Sequence, residues 1–236
     1  MLSMRMLAVN TVVLAVAWFL AGCDNVAIHA GPAPEQAGKA AVEKSITFDD
    51  FDLNKTPPGF LTALTGGGGP VSWVVLEDPT APSGKRVLAQ TSRDETDYRF
   101  PICVFDGISA KDVEVGVRFK TVSGKVDQAA GVIVRYKDKD NYYVVRANAL
   151  EDNVRFYKVE SGKRSQLAGI NTKVSPGQWH ELKLTAKGTH FTVTFEGKGV
   201  EADDSTFPDA GKAGLWTKAD SVTHFDNLKI ESYDKR

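Results

Sequence analysis

Residues Gly131–Val159 read GVIVRYKDKDNYYVVRANALEDNVRFYKV. Three runs rich in Val, Tyr, Phe and Ile are separated by two short clusters, KDKD and LEDN. β-Branched and aromatic residues favour pleated, half-buried strands, whereas charged clusters of this kind favour turns. The stretch therefore predicts an antiparallel meander of three strands.

Successive side chains of a strand point to opposite faces of a sheet, so each run can be divided by parity. One face is apolar and is predicted to meet a core: Val132, Val134, Tyr136, Tyr143, Val145, Ala147, Val154 and Phe156. The other face carries three arginines, two tyrosines and an asparagine among apolar neighbours: Ile133, Arg135, Tyr142, Val144, Arg146, Asn148, Arg155 and Tyr157.

This arginine- and tyrosine-rich face has two interpretations. A solvated sheet face is normally polar, which explains the charges without any ligand. Arginine and tyrosine are also favoured at binding surfaces, and Trp216 suits stacking on a sugar ring as well as filling a core. The second interpretation predicts a carbohydrate site with nine candidate residues: Arg118, Arg135, Tyr142, Arg146, Asn148, Arg155, Tyr157, Trp216 and Lys218.

Short alternating runs continue on both sides of the meander. Val113–Phe119 alternates apolar and mostly polar residues, and turn residues bound the runs Arg86–Thr91, Trp179–Leu184 and Thr223–Ile230. The domain sequence has no helical period of useful length. Many short strands at regular spacing indicate an all-β fold, a two-sheet antiparallel β-sandwich of the jelly-roll type, which we expect to occupy residues 45–236.

The N-terminus is typical of a targeting segment. Arg5 precedes the almost wholly apolar run Leu7–Leu20, and Leu-Ala-Gly-Cys23 follows it. This pattern resembles a bacterial lipoprotein signal, which is cut before a cysteine that is then lipidated. The alternative, an uncleaved membrane helix, needs ~20 apolar residues, more than this run offers. We therefore expect a signal peptide at 1–22, lipidated Cys23 with a flexible linker at 23–44, and a domain lipid-anchored at the cell envelope, facing the periplasm or the exterior.

Composition restricts the partners. The chain has 29 Lys and Arg against 30 Asp and Glu, a formal net charge of −1. A strongly basic face, the usual sign of nucleic-acid binding, is therefore not expected. If Cys23 is lipidated, Cys103 has no partner for an intrachain disulfide, and its apolar surroundings predict a small buried hydrophobe.

Metal and catalytic motifs are weak. Asp50, Asp52 and Asn54 open like a calcium loop, but Lys55 and Leu61 stand where that loop needs Gly and Glu. We expect no cofactor, with a non-standard calcium site as the alternative. His224 and Asp226 form a candidate acid/base pair on one strand.

Several segments together resemble a known family: GVIVRY at 131–136, DNYYVVRAN at 140–148, WH at 179–180, GKAGLWTKADS at 211–221 and FD at 225–226. They resemble bacterial jelly-roll domains of the concanavalin A-like lectin/glucanase type, and more narrowly the 3-keto-disaccharide hydrolase domain (domain of unknown function 1080), over roughly residues 45–232. The resemblance implies a curved sheet that holds glycans, and the narrower family implies cleavage of 3-keto-glycosides in the periplasm.

Three classes of function stay open at this point. They are a lipid-anchored carbohydrate-binding module, a hydrolase or lyase acting on modified disaccharides, and a structural envelope protein. The sequence lacks the Glu-x-Asp-x-x-Glu strand motif of laminarinase-like members, which disfavours ordinary retaining hydrolysis by paired carboxylates. The arginine-rich face favours the first or the third class.

Overall fold

The computed structural model describes residues 42–233, and its regular elements are all strands. Cys23 and the predicted signal segment lie outside the described residues. Fifteen strands are seen in the described range: β1 Val42–Ile46, β2 Phe60–Gly66, β3 Trp73–Glu77, β4 Arg86–Gln90, β5 Arg99–Ala110, β6 Val113–Ser123, β7 Ala129–Asp138, β8 Asn141–Asn148, β9 Asn153–Glu160, β10 Lys163–Asn171, β11 His180–Lys187, β12 His190–Phe195, β13 Lys198–Asp203, β14 Gly211–Trp216 and β15 Val222–Ser232.

The strands form two antiparallel sheets. The first sheet has the order β13-β12-β11-β6-β15-β4-β3, with β1 also pairing with β15. The second has the order β10-β9-β8-β7-β14-β5-β2. The predicted all-β, two-sheet sandwich is therefore confirmed. Searched over the described part of the chain, no helix has the length and apolarity needed to span a bilayer.

The predicted meander is β7, β8 and β9, which are neighbours in the second sheet. Val145 lies opposite Val132 on one side and Phe156 on the other. All three belong to the core between the sheets, where Phe156 is 1% exposed. Parity along these strands thus predicted the core face correctly, with one exception.

The exception is a β-bulge in β7. The register with β8 shifts between Val134 and Asp138, and Arg135 has a φ of 50°. A bulge inserts a residue and so exchanges the faces of those that follow. Arg135 consequently lies on the core side, where its guanidinium sits 5.1 Å from the centre of the Phe191 ring, and Tyr136 packs on the opposite side of the sheet. The predicted faces of Arg135 and Tyr136 were wrong for this reason.

The outer face of the second sheet carries a hydrophobic cluster of its own. A solvated face was one interpretation of this surface, yet most of its apolar side chains are fully buried. The cluster comprises Phe100, Ile102, Val104, Ala129, Ile133, Tyr142, Val144, Tyr157, Val159 and Trp216.

Two boundaries differ from the sequence prediction. Val42–Lys44, expected in the linker, pair with Ser232–Ile230 in β1. Lys198–Asp203, which were not predicted as a strand, form an edge strand beside β12. In β13 only Val200 and Ala202 contact the core, so its strand signal is weak in sequence.

Candidate functional site

A polar cluster surrounds Arg146 on the outer face of the second sheet. The Arg146 Nη2 donates to Glu151 Oε2 at 2.8 Å and to Asn153 Oδ1 at 2.7 Å. The residue is 2% exposed, and its buried Nε has no hydrogen-bond partner among the described residues. A fixed, incompletely satisfied guanidinium is therefore held at this end of the meander.

Lys218 extends the cluster. Its Nζ lies 3.0 Å from Asp127 Oδ2 and 2.5 Å from Asp97 Oδ1. Asp127 also accepts a hydrogen bond from Asn148 Nδ2 at 2.7 Å, which connects it to the strand that carries Arg146. We call the following residues the Arg146 cluster: Asp97, Asp127, Arg146, Asn148, Glu151, Asn153 and Lys218.

Local turn chemistry positions Glu151. The Asn148 Oδ1 accepts hydrogen bonds from the backbone N–H of Leu150 and of Glu151, at 2.9 and 3.1 Å. Asparagine favours such turns because its side chain bonds the backbone two or three residues further on. Glu151 then folds back on Arg146, whose strand precedes the turn.

A second carboxylate positions Asp127. Asp220 accepts hydrogen bonds from the backbone N–H groups of Lys125, Val126 and Asp127, at 2.5, 3.1 and 3.0 Å. Three successive N–H groups aimed at one carboxylate fix a loop that has no strand pairing. The β6–β7 loop is thereby held against the β14–β15 loop, which carries Lys218.

Aromatic rings lie next to the charged groups. The Arg164 guanidinium lies 4.5 Å from the ring centre of Tyr157, 4.9 Å from Phe100 and 5.9 Å from Trp216. Phe100 stacks on Trp216 at 5.1 Å between centroids. Trp216 also donates through Nε1 to the Tyr142 hydroxyl at 3.3 Å. The Tyr157 ring also lies 5.9 Å from the Arg146 guanidinium, whereas Trp216 and Tyr142 are packed side chains of the neighbouring hydrophobic cluster.

The pKa shifts in the cluster follow from its hydrogen bonds and from burial. Hydrogen bonding from Arg146 lowers the pKa of Glu151 to about 2. Burial raises the pKa of Asp127 above its ordinary value. Burial opposes the charge of Lys218, but its bonds to Asp97 and Asp127 outweigh this and raise its pKa. Cations that donate hydrogen bonds and carboxylates that accept them therefore stand side by side.

The structure brings together part of the predicted site. Arg146, Asn148 and Lys218 are in the cluster, and Tyr142, Tyr157 and Trp216 lie in the adjoining hydrophobic cluster. Arg155 faces Arg146 across the strands but bonds to the Ile170 carbonyl and to Asn171 Oδ1.

Two predicted arginines lie elsewhere. Arg118 is on β6, in the first sheet, so it does not join the meander as expected from chain order. Arg135 donates to the carbonyls of Lys111, Phe207 and Gly188 on the core side of the bulge. Neither residue contributes to the Arg146 cluster.

The predicted His224–Asp226 pair is not formed. His224 Nδ1 lies 2.7 Å from Asp78 Oδ2. Asp226 accepts instead from the backbone N–H of Ser83 and of Asn227, at 2.8 and 2.7 Å. Both lie on the first sheet, away from the strands of the Arg146 cluster.

Several residues of the site were missed in the sequence. Asp127, Glu151, Asn153 and Arg164 were not among the candidate residues. Their positions next to turn residues offered a weak signal, but the contacts with Lys218 join distant parts of the chain.

The candidate calcium site comprises Asp50, Asp52 and Asn54. Asp52 is bonded to Lys55 Nζ at 2.9 Å. Across residues 42–233, no group of three or more His, Cys, Asp and Glu side chains is arranged to hold a metal ion.

Fold and site together define a lectin-type β-sandwich. Residues 70–233 match the family described as galactocerebrosidase, C-terminal lectin domain. This match spans well over half of the sequence, and the chain belongs to that family.

The chain is also similar to individual proteins. The chain is 32% identical over 117 residues to levanase of Bacillus subtilis (strain 168), a match that covers 48% of this chain and 17% of levanase. The carbohydrate binding module CBM66 from Bacillus subtilis superposes with a TM-score of 0.59 at 25% identity, covering 77% of this chain and 99% of the module. A Bacillus subtilis protein of unknown function with a galectin-like fold gives a TM-score of 0.51 at 12% identity, covering 74% and 90%, and shows the fold alone.

Proposed function

We propose that this domain binds carbohydrate at the Arg146 cluster. The observation that carries the proposal is the Arg146–Glu151 pair, in which a buried guanidinium holds a half-exposed carboxylate in place. Sugar hydroxyls both donate and accept hydrogen bonds, so a site of fixed carboxylates beside fixed cations suits them. Membership of a lectin-domain family and similarity to CBM66 support the same function.

The geometry favours a ligand contacted through its hydroxyl groups rather than by stacking on Trp216. The Trp216 ring is buried and already stacked on Phe100. Tyr98, by contrast, is half-exposed, lies edge-on to Phe100 and offers apolar area beside the cluster. Glu151, Asp97 and Lys218 supply the polar contacts in this proposal.

Levan is the first carbohydrate to test, since one relative is named levanase. The chain spans about a sixth of the length of levanase, so the hydrolytic activity in that name is not transferred to it. Calorimetric titration of the protein with levan, inulin and a galactan separates a fructan ligand from a galactose-based one. The proposal would be contradicted if none of the three glycans binds and the NMR signals of the Arg146 cluster residues do not change on their addition.

The location of the domain is a second part of the proposal. We infer from the Leu-Ala-Gly-Cys23 motif that the protein is a lipoprotein tethered at a membrane outside the cytoplasm. Two or more acyl chains give stable anchoring, whereas one gives only marginal binding. Cys23→Ser should abolish lipidation and membrane fractionation. If the variant still fractionates and migrates like the parent, Cys23 is not the lipid-anchored residue.

A catalytic role is the second candidate function. The observation that favours it is the link between Asp127 and Glu151 through Asn148, which donates to the Asp127 carboxylate and accepts from the Glu151 backbone N–H. Burial raises the pKa of Asp127, whereas hydrogen bonding from Arg146 lowers the pKa of Glu151 to about 2. Such a separation of pKa values is typical of a general acid and its partner carboxylate. Incubation with a 3-keto-disaccharide, followed by product analysis, tests the activity implied by the resemblance to the hydrolase domain. Turnover that survives Asp127→Asn would place any catalysis elsewhere.

A further inference from the structure

The outer face of the first sheet holds a depression of about 340 Å³, on the sheet that does not carry the Arg146 cluster. We call it the His224 depression. It is lined by Glu77, Asp78, Pro79, Lys120, Val122, Gly177 and His224.

A buried carboxylate organises its floor. Asp78 Oδ2 lies 2.7 Å from His224 Nδ1 and 2.5 Å from Lys120 Nζ. Asp78 Oδ1 accepts from both the backbone N–H and the hydroxyl of Thr80, at 2.9 and 2.8 Å. The side chains of all three charged or titratable residues, Asp78, Lys120 and His224, are at most 14% exposed. Four hydrogen bonds therefore fix the carboxylate and, through it, the imidazole ring.

The bond to Asp78 determines which nitrogen of His224 carries the proton. An ionised carboxylate only accepts, so Nδ1 must donate, and the neutral ring then has a bare lone pair on Nε2. Burial lowers the pKa of His224, although Asp78 opposes this effect. The lowered pKa keeps the ring neutral near pH 7. Within residues 42–233, no hydrogen-bond partner is found for Nε2. An oriented acceptor is thus available at the depression.

The charges around the depression restrict the ligand. Lys120 and Asp78 neutralise each other at 2.5 Å, and Glu77 at the rim is exposed. The lining therefore has no uncompensated cation, which disfavours an anion. Val122 and Pro79 add apolar surface, and Trp179 lies beside Lys120 with its Nε1 donating to Thr80 Oγ1 at 3.1 Å. The His224 Nε2 acceptor, the exposed Glu77 carboxylate and the apolar walls suit a neutral polyhydroxy molecule of monosaccharide size.

We propose that the His224 depression is a second saccharide subsite, in which His224 Nε2 accepts a hydrogen bond from a sugar hydroxyl. It goes beyond the function proposed above, because it lies on the other sheet and shares no residue with the Arg146 cluster. Two such subsites would let one domain contact a polysaccharide at two points, which raises avidity without any new contact at either subsite.

The test follows the histidine ring signals by NMR. The protein, labelled with ¹³C in its four histidines, is titrated with D-fructose, D-galactose and D-glucose into the tens of millimolar. His224 is assigned from the spectrum of His224→Ala. We expect a saturable shift of the His224 ring signals with at least one sugar. His190 is the matched internal control, since it also bonds an aspartate, Asp203 at 3.1 Å, but lies on an exposed strand surface.

A blocking variant separates this subsite from the Arg146 cluster. Val122 is 44% exposed and lines the depression without joining the Asp78 network. Val122→Arg fills the space and should abolish the His224 shift while the unliganded His224 signals stay near their parent positions. Glu151→Gln should leave the shift unchanged. The proposal is overturned if none of the three sugars shifts His224 saturably, if His190 shifts equally, or if Val122→Arg retains the shift.

Discussion

Arg146 and Glu151 are joined at 2.8 Å although their side chains are 2% and 49% exposed. The pair therefore runs from the interior of the second sheet to its surface. The buried guanidinium fixes the carboxylate, and the carboxylate presents an oxygen to solvent. This is preorganisation, because the polar group that meets a ligand loses little freedom on binding.

Glu151→Gln should weaken carbohydrate binding at the Arg146 cluster. The amide keeps the size of the side chain but removes the charge that Arg146 holds in place. We expect a loss of at least tenfold in affinity, or about 1.4 kcal/mol. Calorimetric titration with the best glycan ligand measures it.

Asp152→Asn is the matched control for that experiment. Asp152 is the next residue along the same turn, but it bonds Lys173 and the backbone of Val174 instead of Arg146. The affinity of the Asp152→Asn variant for the glycan should stay within about twofold of the parent value. If the two variants lose affinity equally, binding depends on the total negative charge of the turn and not on the pair that Glu151 forms with Arg146.

Phe156→Ala should strongly destabilise the sandwich. Phe156 is 1% exposed and packs against Phe191 with ring centroids 5.1 Å apart. Removing a buried aromatic ring costs about 3–5 kcal/mol. Urea unfolding followed by circular dichroism measures the change. Leu61→Ala, at a position 49% exposed, should change the free energy of unfolding by no more than about 0.5 kcal/mol. A small effect at Phe156 would show that it does not lie in the core.

The sequence predicted the meander because its signal is local. Period-two alternation and turn clusters specify which residues of β7, β8 and β9 face the core, and Val145 and Phe156 lie there as predicted. The bulge at Arg135 depends on a backbone conformation with φ of 50°, which alternation does not reveal. One inserted residue was enough to reverse the predicted faces of Arg135 and Tyr136.

The contacts of both sites depend on chain topology. Arg118 precedes the meander directly in sequence, yet the loop after β6 crosses from the first sheet to the second. The bond between Asp78 and His224 joins residues 146 positions apart, so a neighbouring carboxylate, Asp226, was the natural but wrong partner. Residue type and spacing could identify His224 and Arg146 as candidate site residues, but only the strand order shows which side chains each of them contacts.

Stability should fall as the pH drops below 6.5, the ordinary pKa of histidine, partly because of His224. Burial lowers the pKa of this residue in the folded protein. The unfolded chain then binds a proton at this residue more readily than the folded chain does. The free energy of unfolding therefore decreases toward acid, by at most about 1.4 kcal/mol per pH unit from one group.

His224→Asn removes that titration. Urea unfolding at several pH values on both sides of 6.5 should give a shallower slope for the variant than for the parent. A parallel slope in the two proteins would assign the acid sensitivity to other groups. An opposite result, with the parent gaining stability toward acid, would mean that the bond to Asp78 raises the pKa of His224.

Gly124→Ala should disturb the Arg146 cluster from a distance. A Cβ at position 124 would lie 1.8 Å from the backbone oxygen of Asp127, too close for any side chain. The β6–β7 loop would have to shift, which would move Asp127 away from Lys218. We expect a stability loss of about 1–3 kcal/mol, as for other overpacked positions, and weaker glycan binding.

Gly67→Ala is the control for Gly124→Ala, since its Cβ would meet only Thr96 Cγ2 at an ordinary 3.9 Å. Melting curves and glycan titrations of both variants check the prediction. Parent-like binding by a destabilised Gly124→Ala protein would show that the position of Asp127 does not matter for the ligand.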